Sequence, residues 1–409
     1  MTPVTEGIFS IPNYTTILKV KPIEDRESEK LAVKRSLQPL LIISQFLSSA
    51  PFPSMALHPV SHDEGTCSTL GGILQIVWAI VLLSGAIVSA IYKRIWRFDS
   101  VDMPFLIYLL FNLELFLGIF ITLIVFVGCQ LKRTTHDEIL TQLVDMMVIF
   151  KKVDQAIDLD LLRQLGNKML TGAGTFFGII IAVDAVYHQH IGKSACGTGA
   201  YLLPHAVQTI TLFQYGYVLV YAYRQFKTMN TFLLSLRFAL KNDLINYIRH
   251  LETMRKQHME LHRLVFKMNQ LFGIFHIVSI ILVLTATSIA CLEVYQKIQF
   301  ENTGLYLAYS ALWVVLHCSK LILILYPNYL VENERDLTGI LLHGIPQCDN
   351  QQYNVEVKMF TRQVVHQKGS YSACGIVDLN LSVLASIFGA MTTFLIILIE
   401  FDKSSKAPK

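Results

Sequence analysis

The sequence lacks the short motifs by which enzymes and metalloproteins are usually recognised. It contains no metal-binding motif, no glycine-rich phosphate loop and no nucleophile elbow. We therefore expect no catalytic residue, no metal, no cofactor, no enzymatic activity and no nucleic-acid partner. The seven cysteines are an odd number without paired spacing, so they do not indicate a disulfide framework. No internal repeat is visible, which disfavours a secondary transporter built from duplicated halves.

Charge is also missing over long stretches of the chain. Hydrophobic residues make up 53% of the 409 residues, charged residues only 16%, and the mean hydropathy is +0.47. A soluble protein of this length would break its apolar blocks with charge. The composition therefore predicts a polytopic membrane protein.

Seven segments are long and apolar enough to cross a bilayer as helices. Each has at least 22 residues and at most one charge. They are residues 70–92, 104–129, 170–191, 200–223, 271–294, 303–330 and 379–401. The predicted fold is an all-α membrane protein with seven transmembrane helices.

The region before the first span, residues 1–69, contains a shorter apolar stretch at 37–53. Its apolar part is too short to span, and Pro51 and Pro53 end it. We interpret it as a re-entrant or interfacial segment. Residues 1–30 are polar and lack the apolar core of a signal peptide.

The distribution of basic residues predicts the orientation. With a cytoplasmic N-terminus, 25 of the 34 lysines and arginines lie in cytoplasmic segments and 8 outside. Seven spans then place the tail 402–409 outside the cell. A seven-helix G-protein-coupled receptor, which is one alternative, would have the opposite orientation.

Two of the cytoplasmic segments have helical patterns. An apolar stripe in residues 230–270 predicts that the fourth and fifth spans continue as long helices, although an ordinary amphipathic connector fits equally well. Residues 353–365 are helix-like and lead towards the last span. The stripe consists of Leu236, Leu240, Leu244, Tyr247, Leu251 and Met254.

The last span, residues 379–401, places Glu400 beside apolar residues. Ile397 and Phe401 share its helical face. Several copies of this helix around an axis would form an apolar constriction next to a ring of carboxylates, which can pass cations. The same residues are equally compatible with a simple membrane anchor, in which the Glu400 carboxylate reaches the lipid headgroups.

Polar residues inside the other spans are candidates for a ligand pocket, because such side chains usually face the protein interior or a water-filled cavity. With the orientation above, they lie in the outer halves of their spans. Interfacial aromatics and ordinary helix–helix hydrogen bonds are the alternative. Lys320 needs a partner, for which Glu114 is a candidate. The pocket candidates are Tyr108, Asn112, Asp184, His188, His205, Gln208, Tyr306, Tyr309 and Trp313.

The end of the chain resembles the signature of insect gustatory receptors, which reads Thr-Tyr, five apolar residues, Gln-Phe. Thr393 and Phe394 stand at the first pair, and Glu400 and Phe401 at the second. Phe394 replaces the tyrosine and Glu400 the glutamine. Gly375 precedes them as part of the same ending, together with Tyr371, Ala373, Cys374, Asp378, Leu379, Gly389 and Ala390.

This resemblance implies a tastant-gated, non-selective cation channel in the plasma membrane of a sensory neuron dendrite. Four subunits, identical or mixed with other gustatory receptors, would surround a pore. Residues 70–330 would form the ligand-binding bundle, 331–378 a cytoplasmic anchor and 379–401 the pore helix. Its gate and filter would fall on Ile397, Glu400 and Phe401. The last helix lacks the start associated with sugar receptors, so a bitter or orphan ligand is expected.

Overall fold

The computed structural model describes residues 24–51, 64–98, 105–152, 157–188, 197–239, 244–300, 304–367 and 369–406. These residues are almost entirely helical. The helices are α1 (Glu24–Phe46), α2 (Glu64–Phe98), α3 (Phe105–Leu131), α4 (Arg133–Lys152), α5 (Leu159–His188), α6 (Leu203–Ala239), α7 (Leu244–Phe300), α8 (Gly304–His343), α9 (Gln351–His366) and α10 (Ser382–Lys406). A π-helical turn, Thr198–Leu202, precedes α6, and a two-stranded hairpin, β1 (Ser372–Ala373) and β2 (Val377–Asp378), precedes α10.

Each of the seven expected spans falls on a helix. Within the described ranges, six helices are long and apolar enough to cross a membrane, and they are α2, α3, α5, α7, α8 and α10. The seventh expected span lies on α6, which is more polar. Because α6 is enclosed by its neighbours, its polar side chains need not meet lipid. The prediction of an all-α, multi-pass membrane fold is confirmed.

Helix α6 forms the centre of the bundle and packs most extensively against α8. Tyr215 of α6 is fully buried and donates a hydrogen bond from its hydroxyl to Oδ1 of Asn269 on α7, 2.7 Å away. Asn328 of α8 donates to the same hydroxyl at 2.5 Å and accepts from Asn269 at 3.2 Å. This network pairs polar groups from three helices, so they do not remain unsatisfied inside an apolar core.

The N-terminal helix α1 is longer than the apolar pattern indicated, because it already begins in the polar segment, at Glu24. Pro39 lies inside this helix. Its apolar half packs against α4, α5 and α6. The turn that follows is held by side chains from other helices. Gln75 donates to the carbonyl of Ala50 at 2.5 Å, and Trp78 donates to the carbonyl of Phe46 at 2.7 Å. Such pairing is what a turn at membrane depth requires. The re-entrant placement stays a prediction, and residues 52 and 53 lie outside the described ranges.

Helices α6, α7 and α8 continue well past the length of a bilayer. The 57 residues of α7 correspond to roughly 86 Å of helix, against about 30 Å for the hydrocarbon core. This end of the bundle, which we call the extended end, also carries α9. Leu251 and Met254 of the apolar stripe are buried there, which confirms the predicted long helices. The side chains of Leu236, Leu240 and Leu244 lie outside the described part.

A short hairpin joins the extended end to α10. Cys374 and Gly375 at its tip have φ values of +54° and +71°, and the amide of Ile376 donates to the carbonyl of Ala373 at 3.0 Å. Two successive positive φ values are typical of a type I′ turn, for which glycine is well suited. The hairpin lies on α7, so α7 supports the segment that leads into α10.

Candidate functional site

Polar and aromatic side chains from α5, α6 and α8 meet at the end of the bundle opposite the extended end. Asp184 lies near the end of α5, and His205 and Gln208 lie near the start of α6. Tyr309 and Trp313 lie in the first turns of α8. These are five of the nine residues expected from the sequence to form a ligand pocket. We refer to them, together with Lys320, as the polar cluster.

Aromatic rings surround His205 in the cluster. The Trp313 ring lies with its centroid 5.3 Å from that of His205 and 6.2 Å from that of Tyr309. Tyr201, in the π-helical turn, contacts Trp313 edge-to-face at 6.2 Å. This is the apolar environment with a few polar groups that suits a small organic molecule.

Asp184 is buried and connects α5 to α8. The hydroxyl of Tyr309 donates to its Oδ1 at 3.0 Å. A carboxylate removed from water needs such donors, because an uncompensated buried charge is costly. The hydrogen bond therefore fixes the start of α8 against the end of α5. A ligand with a hydroxyl or amino group could replace Tyr309 as the donor.

Lys320 lies fully buried between α6 and α8. Its Nζ is 2.8 Å from Nδ1 of His205 and donates to Oε1 of Gln208 at 2.6 Å. The carboxylate of Glu114 on α3 is close enough to interact electrostatically with the ammonium. The expected partner Glu114 is thus confirmed as a nearby charge. The sequence did not indicate that His205 and Gln208 provide the hydrogen bonds, although their i, i+3 spacing places them on one face of α6.

Two of the remaining pocket candidates, Tyr108 and Asn112, lie on α3. Asn112 donates its side-chain amide to the carbonyl of Tyr108, 2.7 Å away in the same helix. Helix α3 contributes Glu114 to the surroundings of Lys320 instead. The side chains of His188 and Tyr306 lie outside the described part.

Helix α10 has one buried side and one uncovered side. Leu398 is buried among residues of α3 and α7, and Phe394 packs against the same group. Ile397 and Phe401 are 47% and 57% exposed, and Glu400 is exposed on the same face. Thr393 donates its hydroxyl to a carbonyl of its own helix. The assignment of Ile397, Glu400 and Phe401 to a pore stays a prediction.

A second polar group joins the hairpin to α7 and α8 at the extended end. The Arg335 guanidinium on α8 donates to the carbonyl of Gly369 at 2.8 Å and lies 5.1 Å above the Tyr371 ring. The amide of Tyr371 donates to Glu332 of α8 at 2.7 Å, and its hydroxyl is 3.2 Å from Nδ1 of His262 on α7. Burial raises the pKa of Tyr371 to about 12. The phenol therefore stays protonated at neutral pH and can donate to His262.

A family model described as 7tm chemosensory receptor matches residues 37–405. The chain belongs to this chemosensory receptor family. Membership in a receptor family also confirms the expectation that the protein is not an enzyme.

Two curated insect receptors resemble parts of this chemosensory receptor. One is a Drosophila melanogaster gustatory receptor for sugar taste, 43a, which is 30% identical over 38% of this chain and 36% of its own length. The other is a Drosophila melanogaster gustatory receptor for bitter taste, 66a, which is 29% identical over 22% of this chain and 17% of its own length. The matched segments thus span about a third or less of those relatives. The expected gustatory resemblance is confirmed.

Solved structures share the fold of this chemosensory receptor. The insect olfactory receptor OR5 from Machilis hrabei aligns with 90% of the chain and 99% of its own, with a TM-score of 0.68 and 11% sequence identity. The same olfactory receptor in complex with eugenol aligns with a TM-score of 0.69 and 10% identity, over 91% of this chain and 99% of its own. The TM-scores show a common fold, and at this identity the likeness is one of fold alone.

Proposed function

We propose that this receptor is a tastant-gated, non-selective cation channel of four subunits, in which the last helix of each subunit lines a central pore. The four subunits are either all copies of this chain or a mixture of this chain and other gustatory receptors. The match to two gustatory receptors supports the taste role, and the shared fold with an insect olfactory receptor supports the architecture.

The main support for a pore lined by the last helix is the uncovered side of α10. Ile397 and Phe401 are largely exposed although they lie in the apolar part of a helix, and Glu400 lies between them on the same face. A carboxylate within a membrane helix is costly in lipid and is usually found beside protein or water. In a tetramer, the same face of three other subunits would surround it, so that Glu400 would lie beside protein and beside the water of a pore. The alternative is a membrane anchor, in which Ile397 and Phe401 contact lipid and Glu400 reaches the headgroups.

We place the ligand site in the polar cluster. The Trp313 ring offers a stacking surface, and Asp184, His205 and Gln208 offer hydrogen-bonding groups. In the structure these side chains contact one another, so a ligand has to displace the Tyr309 hydroxyl from Asp184. The receptor resembles both a sugar and a bitter receptor, so the expected bitter ligand stays a prediction.

The proposed orientation places the extended end in the cytoplasm and the polar cluster towards the outside. The excess of lysine and arginine in segments at the extended end supports this orientation. A tag after Lys409 should then be accessible to antibody on intact cells. Detection only after permeabilisation would contradict both the orientation and the proposed channel.

Cysteine accessibility tests the pore directly. Ile397→Cys and Phe401→Cys should react with a membrane-impermeant thiol reagent and lose current when the channel is open, because a pore contains water. Val88→Cys is the matched control. Val88 is 53% exposed on α2 and should face lipid, so it should not react. If all three variants conduct and behave alike, α10 does not line the pore.

A further inference from the structure

Two histidines and a glutamate converge beside Lys320, each from a different helix. Glu114 lies on α3, His205 on α6 and His317 on α8, and one ligand atom from each lies within 4.8 Å of the others. Imidazole nitrogens and carboxylate oxygens are ligands that zinc commonly takes. We propose that these three side chains bind one divalent transition-metal ion of the zinc class in each subunit.

Both imidazole rings are buried in the bundle. His205 and His317 are 2% and 1% exposed. Among the described residues, Nε2 of His205 and Nδ1 of His317 have no hydrogen-bond partner. Leaving a buried polar atom without a partner is destabilising. A metal ion bound to the lone pair of each nitrogen would remove this cost, and for His205 this requires the ring proton to sit on Nδ1.

The arrangement of the rings fits a shared ion. Their centroids lie 4.9 Å apart and the ring planes are nearly perpendicular, at 79°. A zinc ion about 2 Å from each ligand atom would hold the atoms about 3.3 Å apart. The three ligand atoms lie within 4.8 Å of one another, so binding requires them to draw together by up to about 1.5 Å. Glu114 is half-buried, whereas both imidazole rings are buried. A fourth coordination position stays open for water.

The charge of Lys320 limits the affinity of this site for a metal ion. Its ammonium already occupies the position next to Nδ1 of His205 and Oε1 of Gln208. The cluster therefore accommodates a cation, but a dication beside the ammonium is repelled. An ammonium that donates to Nδ1 leaves the ring proton on Nε2, so His205 binds a metal through Nε2 only when Lys320 is neutral and accepts a hydrogen bond from Nδ1. Lys320→Gln removes the charge and keeps a hydrogen-bonding group, so this variant should bind the metal more tightly than the wild type.

Binding can be measured on the purified full-length receptor in lipid nanodiscs, with an affinity tag free of histidine and without any tastant. Titration calorimetry with Zn²⁺ and visible absorption with Co²⁺ are the two readouts. We expect saturable binding of one ion per subunit. His317→Gln and Glu114→Gln should each weaken it at least about tenfold, since even second-shell changes cost that much. Lys320→Gln should tighten it.

His366→Gln provides the matched control, because His366 is an exposed histidine on α9. Its variant should bind as the wild type does. His205→Gln is measured as well, in case His317→Gln fails to yield a monodisperse assembly. Absence of saturable binding, or equal binding by wild type and the correctly assembled ligand variants, would overturn the site. Since no current is recorded, failure here leaves the channel proposal untouched, and failure of the channel leaves this test valid.

Discussion

Gly273 of α7 lies directly against Cys374 at the tip of the hairpin. A Cβ atom at position 273 would come within 2.8 Å of Cys374 Sγ and 3.1 Å of its backbone nitrogen. The first distance is shorter than carbon and sulfur tolerate, so only glycine lets the hairpin rest on α7 at this depth. Because α10 follows the hairpin, this contact fixes where the last helix begins.

The first prediction concerns this contact. Gly273→Ala should displace the hairpin and destabilise the receptor by about 1–3 kcal/mol, the usual cost of overpacking. The ligand dose–response should shift as well, because the start of α10 moves. Gly216→Ala is the control, since a Cβ there meets nothing within 4 Å. Thermal unfolding in detergent and whole-cell currents measure the two effects. Equal stability and equal responses in both variants would show that the hairpin yields freely.

The second prediction concerns the polar cluster as a ligand site. Asp184→Asn and Trp313→Ala should shift the tastant dose–response, the first by changing the charge opposite Tyr309 and the second by removing the stacking surface. Assembly should stay intact, which size-exclusion chromatography can show. The control is Phe116→Ala on α3, whose side chain is 61% exposed. If both cluster variants reach the surface and respond like the wild type, the ligand binds elsewhere.

The third prediction concerns Glu400. Four carboxylates at one level of a pore attract divalent cations more than monovalent ones, because attraction scales with ion charge. Glu400→Gln should therefore keep a conducting channel and weaken divalent block. Ile397→Ala should raise the current in the absence of ligand, since it shortens the apolar gate. Single-channel recordings at several Ca²⁺ concentrations measure both. Unchanged selectivity and block in a conducting Glu400→Gln channel would assign Glu400 to the headgroups.

The fourth prediction concerns the charge pair inside the bundle. Lys320→Met leaves Glu114 without its nearby cation and should destabilise the receptor. The double variant Lys320→Met with Glu114→Gln should recover part of the loss, giving a coupling of about 0.5–3 kcal/mol. Denaturant unfolding of the four proteins in the cycle measures this energy. Strict additivity would mean that the two charges act independently.

The fifth prediction concerns Arg335, which is 2% exposed. Arg335→Lys keeps the charge but loses the planar group that stacks on Tyr371 and donates to Gly369. We expect a loss of stability and weaker coupling between ligand and current. Arg263→Lys is the control, because that arginine pairs with Glu260 on an exposed surface. Similar behaviour of the two variants would make the Arg335 contacts dispensable.

The membrane-spanning architecture followed from the sequence alone. Apolar length is a property of a contiguous stretch, so each expected span, such as 271–294 or 303–330, could be read from its own residues. The helical extension of α7 was likewise indicated by the periodicity that includes Leu251 and Met254. The end of the chain carried enough of a signature to indicate the family.

Only the tertiary structure determined which side chains meet. Lys320 and His205 are 115 residues apart, and the helix facing that brings them together depends on packing among α3, α6 and α8. The convergence of Glu114, His205 and His317 has no sequence motif for the same reason, because its ligands come from three helices. The apolar pattern also predicted a shorter segment than α1, and it did not indicate the hairpin that rests on Gly273. Local pattern determines where the membrane-spanning helices lie, whereas the sites depend on how those helices face one another, which is settled only when the whole bundle packs.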